Sequence, residues 1–173
     1  LMRLAENTED ENSARDACVA LGNLAIIAKN QDAIVSLGAL APLIRLLDSP
    51  FVSVQAFTCR ALYRLAAHSE NQGKIVDAGG LAGLIRLMKS PEPEVVRFVV
   101  MTVCNISTNP DNQPKLVKMD AIRPLLELLE SGSEATQKYS AMALCNVSTS
   151  GANQVRGRDR QAGRRSRVAE DGV

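Results

Sequence analysis

The apolar side chains of this sequence recur with helical spacing, and the pattern shows no strand-like alternation. One 21-residue pattern of this kind occurs three times at intervals of 41 residues: "NQDAIVSLGALAPLIRLLDSP" at 30–50, "NQGKIVDAGGLAGLIRLMKSP" at 71–91 and "NQPKLVKMDAIRPLLELLESG" at 112–132. The opening dipeptide returns once more as Asn153-Gln154. A fixed period of this length indicates a solenoid, in which each unit buries its apolar face against its neighbours.

Each 41-residue unit predicts three helices. The first stops at Gly38, a natural helix C-terminal residue, and Gly79 and Asp120 hold the same place in the next two units. The second helix has a proline near its first turn, where a missing N–H does no harm: Pro42 or Pro124. A third, longer helix follows a Ser-Pro or Ser-Gly break. The third helices are predicted over 13–27, 52–66, 93–107 and 134–148, the last two opening at Pro93 and after an N-cap at Ser133.

This pattern divides the chain into a solenoid over residues 1–152 and a separate tail over 153–173. Residues 1–6, "LMRLAE", match the end of a second helix, so the chain begins inside a helical pattern and is interpreted as a fragment. The expected units are a partial repeat at 1–29 and repeats at 30–70, 71–111 and 112–152. About three stacked units are needed for a stable solenoid, which this number satisfies.

The composition predicts an aliphatic core. Hydrophobic residues make up 46% of the 173 residues, yet aromatic residues only 3%, and tryptophan is absent. No apolar run approaches the roughly 18 residues of a membrane span, and no signal peptide is visible, so neither a membrane span nor export is expected. The positions that recur on the core side of the third helices are expected to be buried: Leu21, Leu62, Val103 and Leu144.

The four cysteines occupy equivalent helical positions, since Cys18 lies one repeat from Cys59 and Cys104 one repeat from Cys145. No C-x-x-C spacing occurs, and His68 is the only histidine. Equivalent positions in successive repeats do not assemble the four ligands of a structural zinc site. Buried, reduced thiols without metal or disulfide are therefore predicted.

A three-helix unit of about 41 residues with the spacing "NQ..IV..GAL.PLI.LL.SP...VQ..A..AL.NLA" resembles the armadillo repeat, over roughly residues 1–152. The resemblance implies an all-α, right-handed superhelical solenoid whose third helices line a concave groove. It also implies a non-enzymatic role that holds other proteins, commonly as extended peptides. No active-site motif or phosphate-binding loop stands out, so no cofactor and no small-molecule substrate are expected.

The resemblance also implies which residues face the groove. In this family an asparagine on each third helix commonly binds the backbone of a peptide, and a carboxamide can pair with peptide N–H and C=O together. The matching positions here are Asn23, Arg64, Asn105 and Asn146, of which Arg64 departs from the pattern. One and two helical turns earlier lie Val19, Arg60, Met101 and Met142, and then Arg15, Ala56, Arg97 and Lys138.

These twelve positions contain five basic residues and no acidic one. A basic groove suits an acidic or phosphorylated extended partner, whereas the alternative interpretation is a solvated charged face on a nearly neutral rod. Nuclear-import adaptors of this family carry tryptophan one turn before the asparagine. Because tryptophan is absent here, recognition of basic import signals is not expected.

The tail at 153–173 contains six arginines and three acids without an apolar stripe, and it is expected to be disordered. It lacks interleaved aromatic residues, so nucleic-acid binding is not expected either. Overall the sequence favours a cytoplasmic, or alternatively nuclear, protein-binding adaptor similar to vacuolar and catenin-type armadillo proteins. Two alternatives remain open from the sequence: the substrate-binding region of a U-box ubiquitin ligase, and a structural role in a ciliary or cytoskeletal assembly.

Overall fold

The computed structural model describes residues 10–149, which form ten α-helices and one short 3-10 turn. The first is α1 (Glu11–Leu24), and three groups of three helices follow it. The groups are α2 (Ala28–Ser36), α3 (Leu40–Leu46) and α4 (Val52–Leu65); α5 (Ser69–Asp77), α6 (Gly80–Leu87) and α7 (Pro93–Ser107); and α8 (Gln113–Lys118), α9 (Ile122–Glu127, continued by a 3-10 turn at Leu128–Glu130) and α10 (Glu134–Ser148).

The long helices α1, α4, α7 and α10 pack side by side in chain order, each on the next, to form the spine of a solenoid. The all-α solenoid fold predicted from the sequence is thus confirmed. None of the helices in the described residues is long and apolar enough to cross a membrane. The predictions for residues 1–6 and for the tail at 153–173 fall outside the described residues.

The ends of the long helices follow the expected capping chemistry. Pro93 is the first residue of α7, and the side chain of Ser133 caps α10 by accepting from the backbone N–H of Thr136 at 3.3 Å. The prediction for the first long helix, 13–27, is wrong by a few residues, since α1 spans Glu11–Leu24. The reason is that Asp10 caps the helix earlier, accepting from the backbone N–H of Asn12 at 3.2 Å.

The turns between first and second helices all require a left-handed backbone. Gly38 and Gly79 each have φ of 88°, and Asp120 has φ of 58° at the equivalent place. Glycine adopts this conformation without steric cost, and aspartate is among the few other residues that tolerate it. The predicted ends of the first helices are therefore confirmed, including the one without glycine.

The repeated Asn-Gln dipeptide ties each unit to the end of the preceding long helix. Asn71 donates from Nδ2 to the carbonyl oxygen of Leu65 at 3.2 Å, and Gln72 donates from Nε2 to that of Ala66 at 3.2 Å. The last carbonyls of a helix lack partners within it, so these amides cap them. The same pair of bonds recurs in the other two units, from Asn30 to Leu24, Gln31 to Ala25, Asn112 to Ile106 and Gln113 to Ser107.

The core between the helices is aliphatic, as the composition indicates. Leu21, Leu62 and Val103 are buried as predicted, with Leu62 fully inaccessible. The same prediction for Leu144 is wrong, because this side chain is only partly buried at the edge of the core. Its helix α10 is the last one described, and no further described helix packs over it.

The cysteines show the same end effect. Cys18, Cys59 and Cys104 are buried free thiols, whereas Cys145 on α10 is a free thiol that is exposed, so the prediction of burial is wrong for this one residue. Burial raises the pKa of Cys59 to about 12 and shifts the pKa of Cys18 and of Cys104 upward as well. The buried thiols are consequently protonated and unreactive near neutral pH.

Candidate protein-binding stripe

Twelve side chains at i, i+4 and i+8 positions of the four long helices form the candidate site, which we call the stripe. None of the twelve is buried, although the core-facing positions beside them are almost completely inaccessible. This spacing places the three positions of each helix on one face. The stripe comprises Arg15, Val19 and Asn23 on α1; Ala56, Arg60 and Arg64 on α4; Arg97, Met101 and Asn105 on α7; and Lys138, Met142 and Asn146 on α10.

The strongest positive charge of the stripe lies on α4, which contains Arg60 and Arg64 and no acidic residue. The guanidinium of Arg60 stacks over the ring of Phe57, 4.5 Å from its centroid. Burial, and secondarily the positive charge of Arg60, lowers the pKa of Arg64 below its usual value. The positive charges of Arg60 and Arg64 repel each other, and an anion that approaches both of them relieves this repulsion.

The cations on the two long helices that flank α4, Arg15 on α1 and Arg97 on α7, contact acids on their own helices. Arg15 donates from Nη2 to a carboxylate oxygen of Asp16 at 3.0 Å. Arg97 lies 3.8 Å from Glu94 and stacks over the ring of Phe98, with 4.7 Å between guanidinium and centroid. These ion pairs are exposed, so each contributes only about 0–1 kcal/mol and an incoming carboxylate can compete with it. Lys138 is exposed and forms no ion pair within residues 10–149.

The stripe side chains nearest the helix ends form hydrogen bonds to the long helix of the preceding repeat. Arg64 donates from Nη1 to the carbonyl oxygen of Gly22 at 2.6 Å and to Oδ1 of Asn23 at 3.3 Å. Asn105 donates from Nδ2 to the carbonyl oxygen of Tyr63 at 3.4 Å. One donor of each side chain therefore holds neighbouring long helices together.

Asn146 makes the same contact through one intermediate group. Its Nδ2 donates to the hydroxyl of Ser107 at 2.9 Å, and that hydroxyl donates to the carbonyl oxygen of Cys104 at 2.7 Å. Cys104 stands one repeat after Tyr63 and two after Gly22, the carbonyls that the two equivalent side chains contact. A cross-repeat contact of the same kind thus recurs along the stripe.

The structure brings Asn23 and Arg64 into direct contact and spreads the other predicted site residues along the four helices. Sequence reasoning missed Phe57 and Phe98, whose rings hold Arg60 and Arg97 in place. A signal was available for the first of these, because Phe57 and Arg60 lie three residues apart on one helix and such pairs are neighbours. No group of three or more metal-ligating side chains occurs in the part of the chain that the structure describes.

Comparison with known proteins identifies a repeat family and similar solved structures. The armadillo/beta-catenin-like repeat family model matches residues 28–67 and 109–149. No curated protein sequence matches the chain.

The solved structures that resemble the chain include designed proteins. An engineered protein is 30% identical with a TM-score of 0.79, and the match covers 84% of this chain and 61% of that structure. A designed armadillo repeat protein is 28% identical with a TM-score of 0.82, covering 91% and 68%. A designed armadillo repeat protein in complex with the peptide (KR)4 is 29% identical with a TM-score of 0.77, covering 84% and 63%. The chain thus spans less than two thirds of the length of the first and third of these proteins.

Proposed function

The chain belongs to the armadillo repeat family, and we propose that it is a non-enzymatic adaptor that binds an extended, acidic segment of a partner protein along the stripe. The observation that carries this proposal is the chemistry of the stripe: twelve side chains on one continuous face, none of them buried, five of them basic and none acidic. A protein surface of a single charge sign favours ligands of the opposite sign and steers them toward it.

The dimensions of the stripe set the length of the segment. Packed helices lie roughly 8–10 Å apart, so four long helices in a row present a face of about 30–40 Å. An extended chain advances about 3.3 Å per residue, and about ten residues would therefore occupy this face. In this arrangement Asn23, Asn105 and Asn146 contact the peptide backbone with the amide atoms that the cross-repeat contacts leave open.

The cations differ in how readily they meet a partner's carboxylates. Arg60 and Arg64 form the centre of the proposed site, since α4 contains no acid that could neutralise them and Arg60 is positioned by Phe57. Arg97 and Arg15 contribute by exchanging an exposed local ion pair for one with the ligand. Lys138 adds an exposed charge at the far end.

The proposed preference is the reverse of the one suggested by a structural relative. A designed armadillo repeat protein among the similar structures is in complex with the peptide (KR)4, which is basic. The stripe of this chain carries cations, and tryptophan, which could hold basic side chains, is absent from the sequence. We therefore expect this chain to reject such a peptide.

The test is peptide binding measured by fluorescence anisotropy with the full chain. Two labelled peptides of about ten residues are compared, one alternating glutamate with serine and one alternating lysine with serine. The acidic peptide is expected to bind, and to bind more weakly at about 200 mM than at about 50 mM salt, because salt screens exposed charges. Preference for the lysine peptide, or binding of neither, would overturn the proposal.

A further inference from the structure

A second surface of the solenoid lies away from the stripe, where helices α5 and α6 meet α8. Two adjoining depressions of about 440 Å³ and 480 Å³ share Ala82 and Met119 and together form one groove, which we call the edge groove. All of its lining residues lie on first and second helices or on the turns after them, and none lies on a long helix. The edge groove is therefore independent of the stripe.

The edge groove combines an apolar floor with a basic rim. Leu81, Ala82 and Ile85 line the floor together with Met119, which is a large apolar side chain left 41% exposed. The rim carries four cations and one acid: Arg86, Lys89, Lys115, Lys118 and Asp77.

Two of the four cations on the rim are already paired. Lys115 donates from Nζ to Oδ1 of Asp77 at 2.7 Å, and Arg86 pairs with Asp48 of the preceding repeat. Lys89 and Lys118 form no ion pair with any acid among residues 10–149. The two unpaired lysines line different depressions of the edge groove: Lys89 follows α6 and lines one, and Lys118 ends α8 and lines the other.

The preceding junction of the solenoid does not share this chemistry. One repeat earlier, Ala41 and Ile44 occupy the positions of Ala82 and Ile85, so that part of the floor is unchanged. The exposed positions differ in charge and size. Asp48, Asp77 and Ala78 stand where the edge groove has Lys89, Lys118 and Met119.

Helix electrostatics favours a cation at the end of α8 but does not require one. Cations are favoured near the end of a helix, where the carbonyl dipoles are negative. Asp77 is nevertheless the last residue of α5, in the same position as Lys118 at the end of α8. Because the fold accepts either sign there, the positive charge and the methionine point to a ligand.

We propose that the edge groove binds a segment of a partner protein in which one large apolar side chain is flanked by acidic residues. The apolar side chain contacts Met119 and the floor, and the acidic residues pair with Lys89 and Lys118. Each depression is large enough to hold a large apolar side chain together with its neighbours in a bound segment. This surface gives the adaptor a second contact that can be occupied together with the stripe.

The experiment uses the full chain with ¹³C-labelled methionine methyl groups. Met119 reports on the edge groove, while Met101 and Met142 report on the stripe, and each signal is assigned by a Met→Leu variant. The probe is a short synthetic peptide with a leucine between pairs of glutamates. The Met119 signal is expected to shift on titration, and replacing the leucine of the probe by serine is expected to weaken the affinity that Met119 reports.

Two double variants with the same change in net charge separate the two surfaces. Lys89→Asp with Lys118→Asp gives the edge groove the charges of the preceding junction, and it is expected to weaken the affinity reported by Met119 about tenfold. Arg60→Glu with Arg64→Glu changes the stripe and is expected to leave that affinity unchanged.

Three results would overturn the proposal. The first is a Met119 signal that does not respond to the probe peptide. The second is an equal loss of affinity in both double variants, which would indicate non-specific electrostatic attraction of the peptide and no defined binding site. The third is binding of phosphatidylserine vesicles that depends on Lys89 and Lys118 while Met119 stays insensitive to peptide, which would make a membrane surface the ligand.

Discussion

Arg64 on α4 donates a 2.6 Å hydrogen bond from its guanidinium to the carbonyl oxygen of Gly22 on α1, one repeat earlier. The equivalent residue of the next repeat, Asn105, makes the corresponding contact with Tyr63. An arginine therefore takes over the structural role that asparagine has elsewhere in the solenoid, and it adds a positive charge to the stripe. Substitutions of Arg64 can therefore distinguish its contribution to stability from its contribution to peptide binding.

Arg64→Asn is expected to keep the cross-repeat contact, whereas Arg64→Ala removes it. The alanine variant should lose about 0.5–1.5 kcal/mol of unfolding free energy, the usual net value of one hydrogen bond, and the asparagine variant less. Both variants remove the charge, so both should bind the acidic peptide more weakly. Urea denaturation and anisotropy measure the two effects, and equal stability of the two variants would contradict the structural role.

Asn71→Ala should destabilise the protein by about 1–2 kcal/mol, because it removes a buried side chain and its hydrogen bond to the carbonyl oxygen of Leu65. Asn30→Ala is the matched control, since Asn30 makes the same bond to Leu24 but is less buried. Its effect should be smaller, about 0.5 kcal/mol. Urea denaturation of both variants is the measurement, and an equal loss of stability would show that burial of the Asn-Gln pair is unimportant.

Leu62→Ala should cost about 2–5 kcal/mol, the range for large-to-small changes in a packed core. Leu62 is fully buried between the long helices, whereas Leu37 is 70% exposed at the end of α2. Leu37→Ala removes the same atoms and should change the stability by less than about 0.5 kcal/mol. Thermal or urea unfolding gives both values, and a tolerated Leu62→Ala would mean that the helix register is wrong.

The thiols should react in a fixed order. Cys145 is exposed, while Cys18, Cys59 and Cys104 are buried and have raised pKa values. Because the thiolate is the reactive form, raising the pKa lowers reactivity at a given pH. Brief treatment of the native protein with iodoacetamide at about pH 8, followed by peptide mass spectrometry, should find the label on Cys145 first. Early labelling of Cys59 would contradict the packing around α4.

The fold was predictable because the sequence repeats its helical pattern three times in the same phase. The period located the helices, and the turn residues Gly38, Gly79 and Asp120 marked where each first helix ends. The role of the Asn-Gln dipeptide was not predictable from spacing. It depends on how closely the next helix follows the end of a long helix, which places each amide against carbonyls six residues earlier.

The contacts of the candidate site were harder to predict, because they depend on distances between helices. Around Gly22, a β-carbon would lie 3.7 Å from that of Ala61, so small residues allow α1 and α4 to approach closely. This approach brings the Arg64 side chain to the Gly22 carbonyl oxygen. The exposure of Cys145 and the partial burial of Leu144 depend likewise on what packs over α10, which a single helix pattern does not specify.

The most direct test of the proposed function is the affinity of the acidic ten-residue peptide for the wild type and for Arg60→Glu with Arg64→Glu, at low salt. Lys89→Asp with Lys118→Asp is the control, since it changes the net charge equally at a distant surface. If the stripe is the binding site, the arginine double variant binds the peptide at least about tenfold more weakly, and the lysine double variant keeps most of the wild-type affinity for this peptide, which lacks an apolar side chain. Equal affinity of the wild type and the arginine double variant would contradict the account, because the stripe would then be only a solvated charged face.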